Sequence, residues 1–185
     1  MSNFDRMFDI VSGHEGGLNT SPADPGNWTG GAVGAGSCHG TKYGISAAAY
    51  PNLDIAGLTL DDAKAIYLRD YWERIAGEQL PPTLALLVFD AAVNNGVVRA
   101  ARWLQEVAQV RQDGVVGPQT LDAVVEIGKT EAGLTDLCSE FLALRLAFMV
   151  ALPNWRTCGS GWARRLSRLP FEALGILNGN PAAEE

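Results

Sequence analysis

From Gly16 to Gly44 the chain is dominated by Gly, Pro, Asn, Ser and Thr, which cannot sustain a helix, while on either side apolar residues recur at helical spacing. The contrast predicts a mainly α fold with one small lobe of turns and short strands near its N-terminus. Ahead of the lobe, Phe4, Met7, Phe8 and Val11 recur every three to four residues. Ser2 offers a cap and Gly13 a stop, so a first helix should end just before Glu15.

After the lobe, Thr59 with Asp62 forms a capping-box start to a helix reaching about Ala76. Pro81-Pro82 introduces an apolar helix to about Asn94, and Val97–Val110 should be the next. Asp113-Gly114 reads as a turn, with Pro118 in the first turn of the following helix. Leu134–Leu152 reads as a long, largely buried helix, broken by Pro153-Asn154. A helix resumes from Trp162 to Leu169 with arginines on one face, and Asn178–Glu185 should be a frayed tail. The pattern contains no internal repeat and no low-complexity linker.

A chain of 185 residues fits one domain of roughly 100 to 200, and 47% apolar against 19% charged residues supports a packed core. Fourteen basic against 21 acidic side chains give a formal charge of -7, the wrong sign for a nucleic-acid partner. Cys38, Cys138 and Cys158 match neither a zinc site nor a dense disulfide framework; they read as small apolar residues, with a single disulfide as the alternative. The first ten residues carry Asp5, Arg6 and Asp9, so they are not expected to be a secretion signal. The apolar runs Leu84–Phe89 and Leu146–Leu152 fall far short of the approximately 18 residues that suggest a membrane span, so no stable membrane insertion is expected.

The stretch richest in chemistry runs Glu15-Gly16-Gly17, then Asp24-Pro25-Gly26, then Gly40-Thr41-Lys42-Tyr43-Gly44-Ile45. Cleaving a glycosidic bond needs a carboxylic acid that stays protonated near neutral pH and a second polar group across the sugar. A Glu shielded by apolar neighbours at a helix end suits the first role, because burial disfavours its charged form. An Asp in a polar, Gly-rich hairpin stays ionised for the second. His14 beside Glu15 does not make a zinc-protease signature, since the second His would have to stand where Leu18 does. Cys38-His39 likewise gives little support for a metal, so none is expected.

These residues resemble the phage and prophage lysozyme-like muramidases with a Glu-Gly-Gly signature, glycoside hydrolase family 108. Their pattern runs from Glu-Gly-Gly through Asp-Pro-Gly to Thr-x-x-Gly-Ile, and Glu15, Asp24, Thr41, Gly44 and Ile45 fall on it. Asp24 follows Glu15 by nine residues, the spacing also found in the Glu-Asp-Thr constellation of phage lysozymes. Further on, Phe89-Asp90-Ala91-Ala92-Val93-Asn94-Asn95-Gly96, Trp103-Leu104-Gln105 and Asp113–Thr120 resemble the peptidoglycan-binding region usually fused to the family. The chain departs from the pattern at Leu18, often aromatic, and at Ser21, often Asp. Asn27–His39 looks like an insertion that leaves two candidate threonines. Thr29 lies closer to Asp24, whereas Thr41 keeps the right followers and is preferred.

The resemblance implies a lysozyme-like helical fold with a small N-terminal β-hairpin lobe. Residues 1–92 would form the catalytic region and 93–177 a helical peptidoglycan-binding region packed on it, with 178–185 a flexible tail; one integrated domain is the alternative. It implies an endolysin that cuts the β-1,4 bond between N-acetylmuramic acid and N-acetylglucosamine of bacterial peptidoglycan. Glu15 would protonate the leaving oxygen. Asp24 would stabilise the oxocarbenium charge or hold the attacking water, which Thr41 would orient. Acid–base chemistry on an acetal calls for no cofactor. A monomer made in the host cytoplasm, without its own export signal, would need a separate holin-like protein to reach the wall. A lytic transglycosylase and a non-catalytic wall-binding or tail-structural protein are the rival readings, and chitin-like substrates fit the same chemistry. Whether the anomeric centre is inverted or retained stays open; a threonine-held water opposite Glu15 favours inversion.

Four side chains are candidates for substrate binding, each with a plainer reading. Trp28 and Tyr43 would stack on sugar faces or simply fill the lobe's core. Asn94 and Asn95 would line a cleft or merely end a helix before Gly96. Arg156, Arg164, Arg165 and Arg168 form either a solvated helix face or a patch for anionic wall polymer or membrane.

Overall fold

The computed structural model describes residues 2–13 and 17–177. Glu15 lies outside the described residues with His14 and Gly16, and so does the 178–185 tail. Among the described residues there are seven α-helices and one two-stranded antiparallel sheet, the mainly α architecture with a small hairpin that the sequence pattern predicts. The chain forms two compact units, Met1–Val11 with Arg69–Glu185, and Ser12–Leu68.

The first unit is built around α3 (Pro82–Asn95), in which every residue from Leu84 to Ala92 is buried. A helix apolar on all sides must be surrounded, and α4 (Val97–Val107), α6 (Glu131–Val150) and α7 (Trp155–Leu177) pack against it, while α5 (Pro118–Ile127) packs on α6. Helix α1 (Asn3–Ser12) starts with a reciprocal cap in which the Asp5 N–H donates to Ser2 Oγ at 3.1 Å and the Ser2 N–H to Asp5 Oδ2 at 3.2 Å. It buries Phe4, Met7, Phe8 and Val11. Phe4 meets Trp72 and Phe89 at ring-centroid distances of 6.0 and 6.1 Å, and Trp72 stands edge-on to Phe89 at 5.3 Å. Each such ring withdrawn from water contributes about 1.5–3 kcal/mol, so this cluster is a principal anchor of the unit.

Asp90 is the exception in α3, a carboxylate with 0% exposure in an otherwise apolar stretch. Arg145 of α6, also 0% exposed, places Nη1 2.6 Å from Asp90 Oδ2. Arg165 of α7 donates its Nε to Asp90 Oδ1 at 2.7 Å and Nη2 to the Val11 carbonyl at 2.9 Å. Asn95 completes the cluster by accepting from Arg145 Nε at 2.8 Å. Burial pulls the Arg145 pKa down and Asp90 opposes that pull. Three helices and the end of α1 are thus tied at one charged point.

Several boundaries differ from those the sequence predicts. The helix α2 (Leu60–Tyr67) begins at the Thr59–Asp62 capping box, but after Tyr67 the chain runs through a π-turn, Leu68–Trp72, and a 3₁₀ turn, Glu73–Ile75. The Trp72 ring lies directly on Gly77, where any Cβ would collide with it. Helix α4 stops at Val107 instead of Val110 because Gln109 takes a left-handed φ of 55°. The Val110 N–H then closes back on the Gln105 carbonyl at 3.0 Å, a C-terminal motif usually announced by glycine. Helix α6 is not largely buried: only Leu137, Phe141, Arg145 and Met149, one residue per turn, are covered. Helix α7 starts at Trp155 and passes through Pro170 to Leu177. Buried Leu166, Leu169 and Ala173 on one face, together with the Arg165 ion pair, hold the helix despite the proline.

Candidate active site

The second unit, Ser12–Leu68, carries the Asp-Pro-Gly and Thr-Lys-Tyr-Gly-Ile motifs. Strands β1 (Thr41–Lys42) and β2 (Ile45–Ser46) pair Thr41 with Ser46 and Lys42 with Ile45 around a two-residue turn. Both turn residues have positive φ, 51° at Tyr43 and 76° at Gly44, as a type I′ hairpin requires. Gly44 is needed twice, for that φ and because a Cβ there would strike the Tyr67 hydroxyl. That hydroxyl donates to the Tyr43 carbonyl at 3.2 Å and so clamps the turn to α2. Lys42 Nζ caps the carbonyls of Ala56 and Leu58 at 2.9 and 2.7 Å and lies 5.4 Å from the Tyr43 ring. On the other side of β1, Asn19 and Thr41 exchange backbone bonds at 2.8 and 2.9 Å.

Asp24 caps the 3₁₀ turn Pro25–Asn27, its Oδ1 accepting from the Gly26 N–H at 2.9 Å. Next to it Asn27, with 0% exposure, is the knot of the lobe. Its N–H donates to the Asp24 carbonyl at 3.2 Å, and its carbonyl accepts from His39 and Gly40 at 2.9 and 3.1 Å. Its Nδ2 donates to the Ser21 carbonyl at 3.0 Å, and its Oδ1 accepts the Thr41 hydroxyl at 2.7 Å. The Asp24 turn and Thr41 therefore hang from one buried amide.

The segment that reads as an insertion is a hairpin-like loop closed above this knot. Trp28 bridges Cys38, and the Thr29 N–H bonds the Ser37 carbonyl at 2.9 Å. Thr29 Oγ1 accepts from the Ser37 N–H at 3.0 Å, so this threonine staples the loop, while Thr41 stands at its base. Trp28 is half-buried and donates its Nε1 to the Pro22 carbonyl at 2.9 Å, across the Asp24 turn. Tyr43 is also half-buried, at the tip of the β1–β2 turn. A cleft of about 550 Å³ opens nearby between Leu18, Thr20, Cys38, His39 and the 51–56 segment. Among its described lining residues are neither Asp24 nor Thr41.

Asn94 and Asn95 belong to the other unit. Asn94 is exposed and donates Nδ2 to the Asp90 carbonyl at 2.8 Å, while Asn95 is committed to Arg145. The Asp113–Thr120 motif is pinned by buried Gln105, whose Nε2 reaches Asp113 Oδ1 at 2.8 Å and the Val115 carbonyl at 3.0 Å, and whose Oε1 accepts the Gly114 N–H at 2.8 Å. The Gln105 bond is also the main reason the Asp113 pKa is lowered. Of the four arginines read as one face, Arg156 and Arg164 are exposed and Arg168 pairs with Glu172 at 3.3 Å, but Arg165 is half-buried and anchors Asp90. Among the described residues, no three His, Cys, Asp or Glu side chains converge as a ligand set, no helix is long and apolar enough to cross a membrane, and all three cysteines are free thiols.

Asn27 and the Asp90–Arg145–Arg165 cluster are the residues that sequence reasoning missed. Asp90 was detectable: a lone carboxylate within the apolar run Leu84–Val93 must find cations on other elements. Asn27 had only its place after Asp24-Pro25-Gly26 to mark it.

A mainly helical chain with a small two-stranded hairpin has the lysozyme-like fold. The family model described as glycosyl hydrolase 108 matches residues 8–96, and the one described as a predicted peptidoglycan domain matches residues 99–167. The solved structure of SagA from Brucella abortus superposes with a TM-score of 0.75 at 33% identity, covering 93% of this chain and 94% of that one. The chain belongs to the glycosyl hydrolase 108 family, and with its second matched region it is a glycoside hydrolase directed to peptidoglycan. A comparison with curated proteins gives no match. The junction between the two matched regions falls at the Gly96 turn between α3 and α4, two helices of one compact unit.

Proposed function

We propose that the protein is a muramidase of the endolysin type, hydrolysing the β-1,4 bond between N-acetylmuramic acid and N-acetylglucosamine. The observation that carries this reading is the Asn27 knot, which holds the Asp24 turn and the Thr41 hydroxyl on one rigid support following the Glu-Gly-Gly signature. Glu15 is the general acid that protonates the leaving oxygen. Asp24 stabilises the positive charge that develops at the anomeric carbon or helps hold water, and Thr41 orients that water. Trp28 and Tyr43 offer ring faces to sugars, and Asn94 and Asn95 are further candidate substrate contacts, on the other unit. Thr41 is preferred to Thr29 because it keeps the Gly44-Ile45 followers of the family pattern, while Thr29 staples the loop.

In functional terms residues 1–92 carry catalysis and 93–177 carry attachment to the wall. The enzyme acts as a monomer, made in a phage-infected host and reaching the wall through a lesion opened by a holin-like protein. The test is turbidity clearing of purified peptidoglycan by the wild type and by Glu15→Gln, with circular dichroism to verify folding and mass spectrometry of the products. Clearing by the wild type alone, leaving reducing muramic acid ends, is expected. Anhydro ends, lighter by one water, would replace hydrolysis by a lytic transglycosylase. Equal clearing by both proteins, or by neither, would remove Glu15 from the mechanism.

A further inference from the structure

The Asn27 amide has one consistent orientation. The Ser21 carbonyl 3.0 Å away can only accept, so Nδ2 must face it and Oδ1 must face Thr41. The Thr41 hydroxyl, 2.7 Å from that oxygen, must therefore be the donor. Its single proton is spent on Asn27 and its lone pairs are left to accept. Asn27 has 0% exposure, and its backbone bonds to Asp24, His39 and Gly40 leave it little freedom to turn.

Resting on the assignment of Thr41 to the attacking water, we propose that Asn27 is a positioning residue that fixes Thr41 as a hydrogen-bond acceptor toward that water. A hydroxyl free to rotate would donate to the water about as readily as accept from it, engaging one of the water's two lone pairs and making it a poorer nucleophile toward the anomeric carbon. With its proton held by Asn27, Thr41 can only draw a water hydrogen toward itself, leaving an oxygen lone pair for the sugar. The residue acts through Thr41 and does not touch the substrate.

Rates of reducing-end release from purified peptidoglycan, at saturating and limiting substrate, test the idea in the full chain. Asn27→Ala is expected to lower kcat by about tenfold to a hundredfold, the scale of a misoriented reactant, with little change in KM. Thr41→Ala should lower kcat similarly. The double variant should be no worse than Thr41→Ala alone, because residues acting as a unit are not additive. Asn27→Asp keeps an oxygen facing Thr41 while losing the bond to Ser21, so it should melt at a lower temperature yet keep most of its kcat. Multiplying losses in the double variant, or an unchanged kcat in Asn27→Ala beside a crippled Thr41→Ala, overturns the proposal. So does failure of both Asn27 variants to fold, which would make Asn27 a folding residue only. Full activity of Thr41→Ala beside an inactive Glu15→Gln instead overturns the role given to Thr41.

Discussion

Replacing Asp90 by Asn removes a charge without changing the shape of the side chain. In the wild type one carboxylate faces two guanidinium groups, and the substitution takes the formal charge of the cluster from +1 to +2 in a site where Asp90 and Arg145 are both 0% exposed. Deleting one partner of a buried pair leaves the other charged and unsolvated, at a cost of about 3–5 kcal/mol. The loss concentrates on Arg145, because the Arg165 side chain is 36% exposed and keeps part of its hydration. For a chain of this size each kcal/mol moves Tm by about 2–4 °C, so a fall of roughly 6–20 °C is expected. Thermal unfolding followed by near-ultraviolet circular dichroism at neutral pH measures it. Replacing the pair together, as Asp90→Leu with Arg145→Met, should recover part of the loss, since the fully buried charge is then gone and the remaining Arg165, 36% exposed, keeps part of its hydration. A Tm for Asp90→Asn within about 2 °C of the wild type would refute the claim that this cluster ties α3, α6 and α7 together.

Four further outcomes are expected. Asn95→Ala strands the buried Nε of Arg145 and should cost about 1–3 kcal/mol in urea unfolding; unchanged stability with weaker retention on peptidoglycan would instead make Asn95 a ligand contact. Gln105→Leu should speed amide exchange at Gly114 and Val115, the turn it pins, and equal protection in both proteins would count against that role. Gly44→Ala meets both the positive φ and the Tyr67 hydroxyl and should cost at least about 1 kcal/mol, read from the melting of the lobe. Burial pushes the Cys138 thiol from 9.0 up to about 11, so Cys158 should react with a disulfide reagent at pH 8 while Cys138 waits for unfolding. A folded pKa above the unfolded one means full stability below about pH 9, with this contribution falling as pH rises toward about 11.

The fold was legible where periodicity and caps spoke together. The capping box at Thr59–Asp62, the proline starts at Pro82 and Pro118, and the Gly-rich lobe all lie where the pattern puts them. It was illegible where tertiary contacts outweighed local preference. Gln109 ends α4 in a conformation that glycine normally supplies, and Pro170 sits inside α7 because burial of Leu166, Leu169 and Ala173 outweighs the lost backbone bond. Arg145 lies in the covered stripe of α6, a place that pattern reasoning reserves for apolar residues, because its partner comes from a different helix. In the lobe the motifs exposed Asp24 and Thr41 but not what joins them. That link is a side-chain bond over fourteen positions, a separation at which spacing carries no signal.

The loop above the Asn27 knot leaves and re-enters the lobe at nearly the same point, since the Asn27 carbonyl receives the amides of both His39 and Gly40. Trp28 at the root of the loop holds the Pro22 carbonyl, but the backbone bonds of the 30–34 tip run to Trp28 and Ala35 within the loop, and lengthening a loop whose ends are already clamped costs only about 0.6 kcal/mol per doubling. The exposed 30–34 segment is thus a ready port for protein engineering. A fluorescent reporter or a targeting module spliced there would ride on the enzyme, and natural variants of this loop are free to diversify in length without retuning the chemistry beneath it.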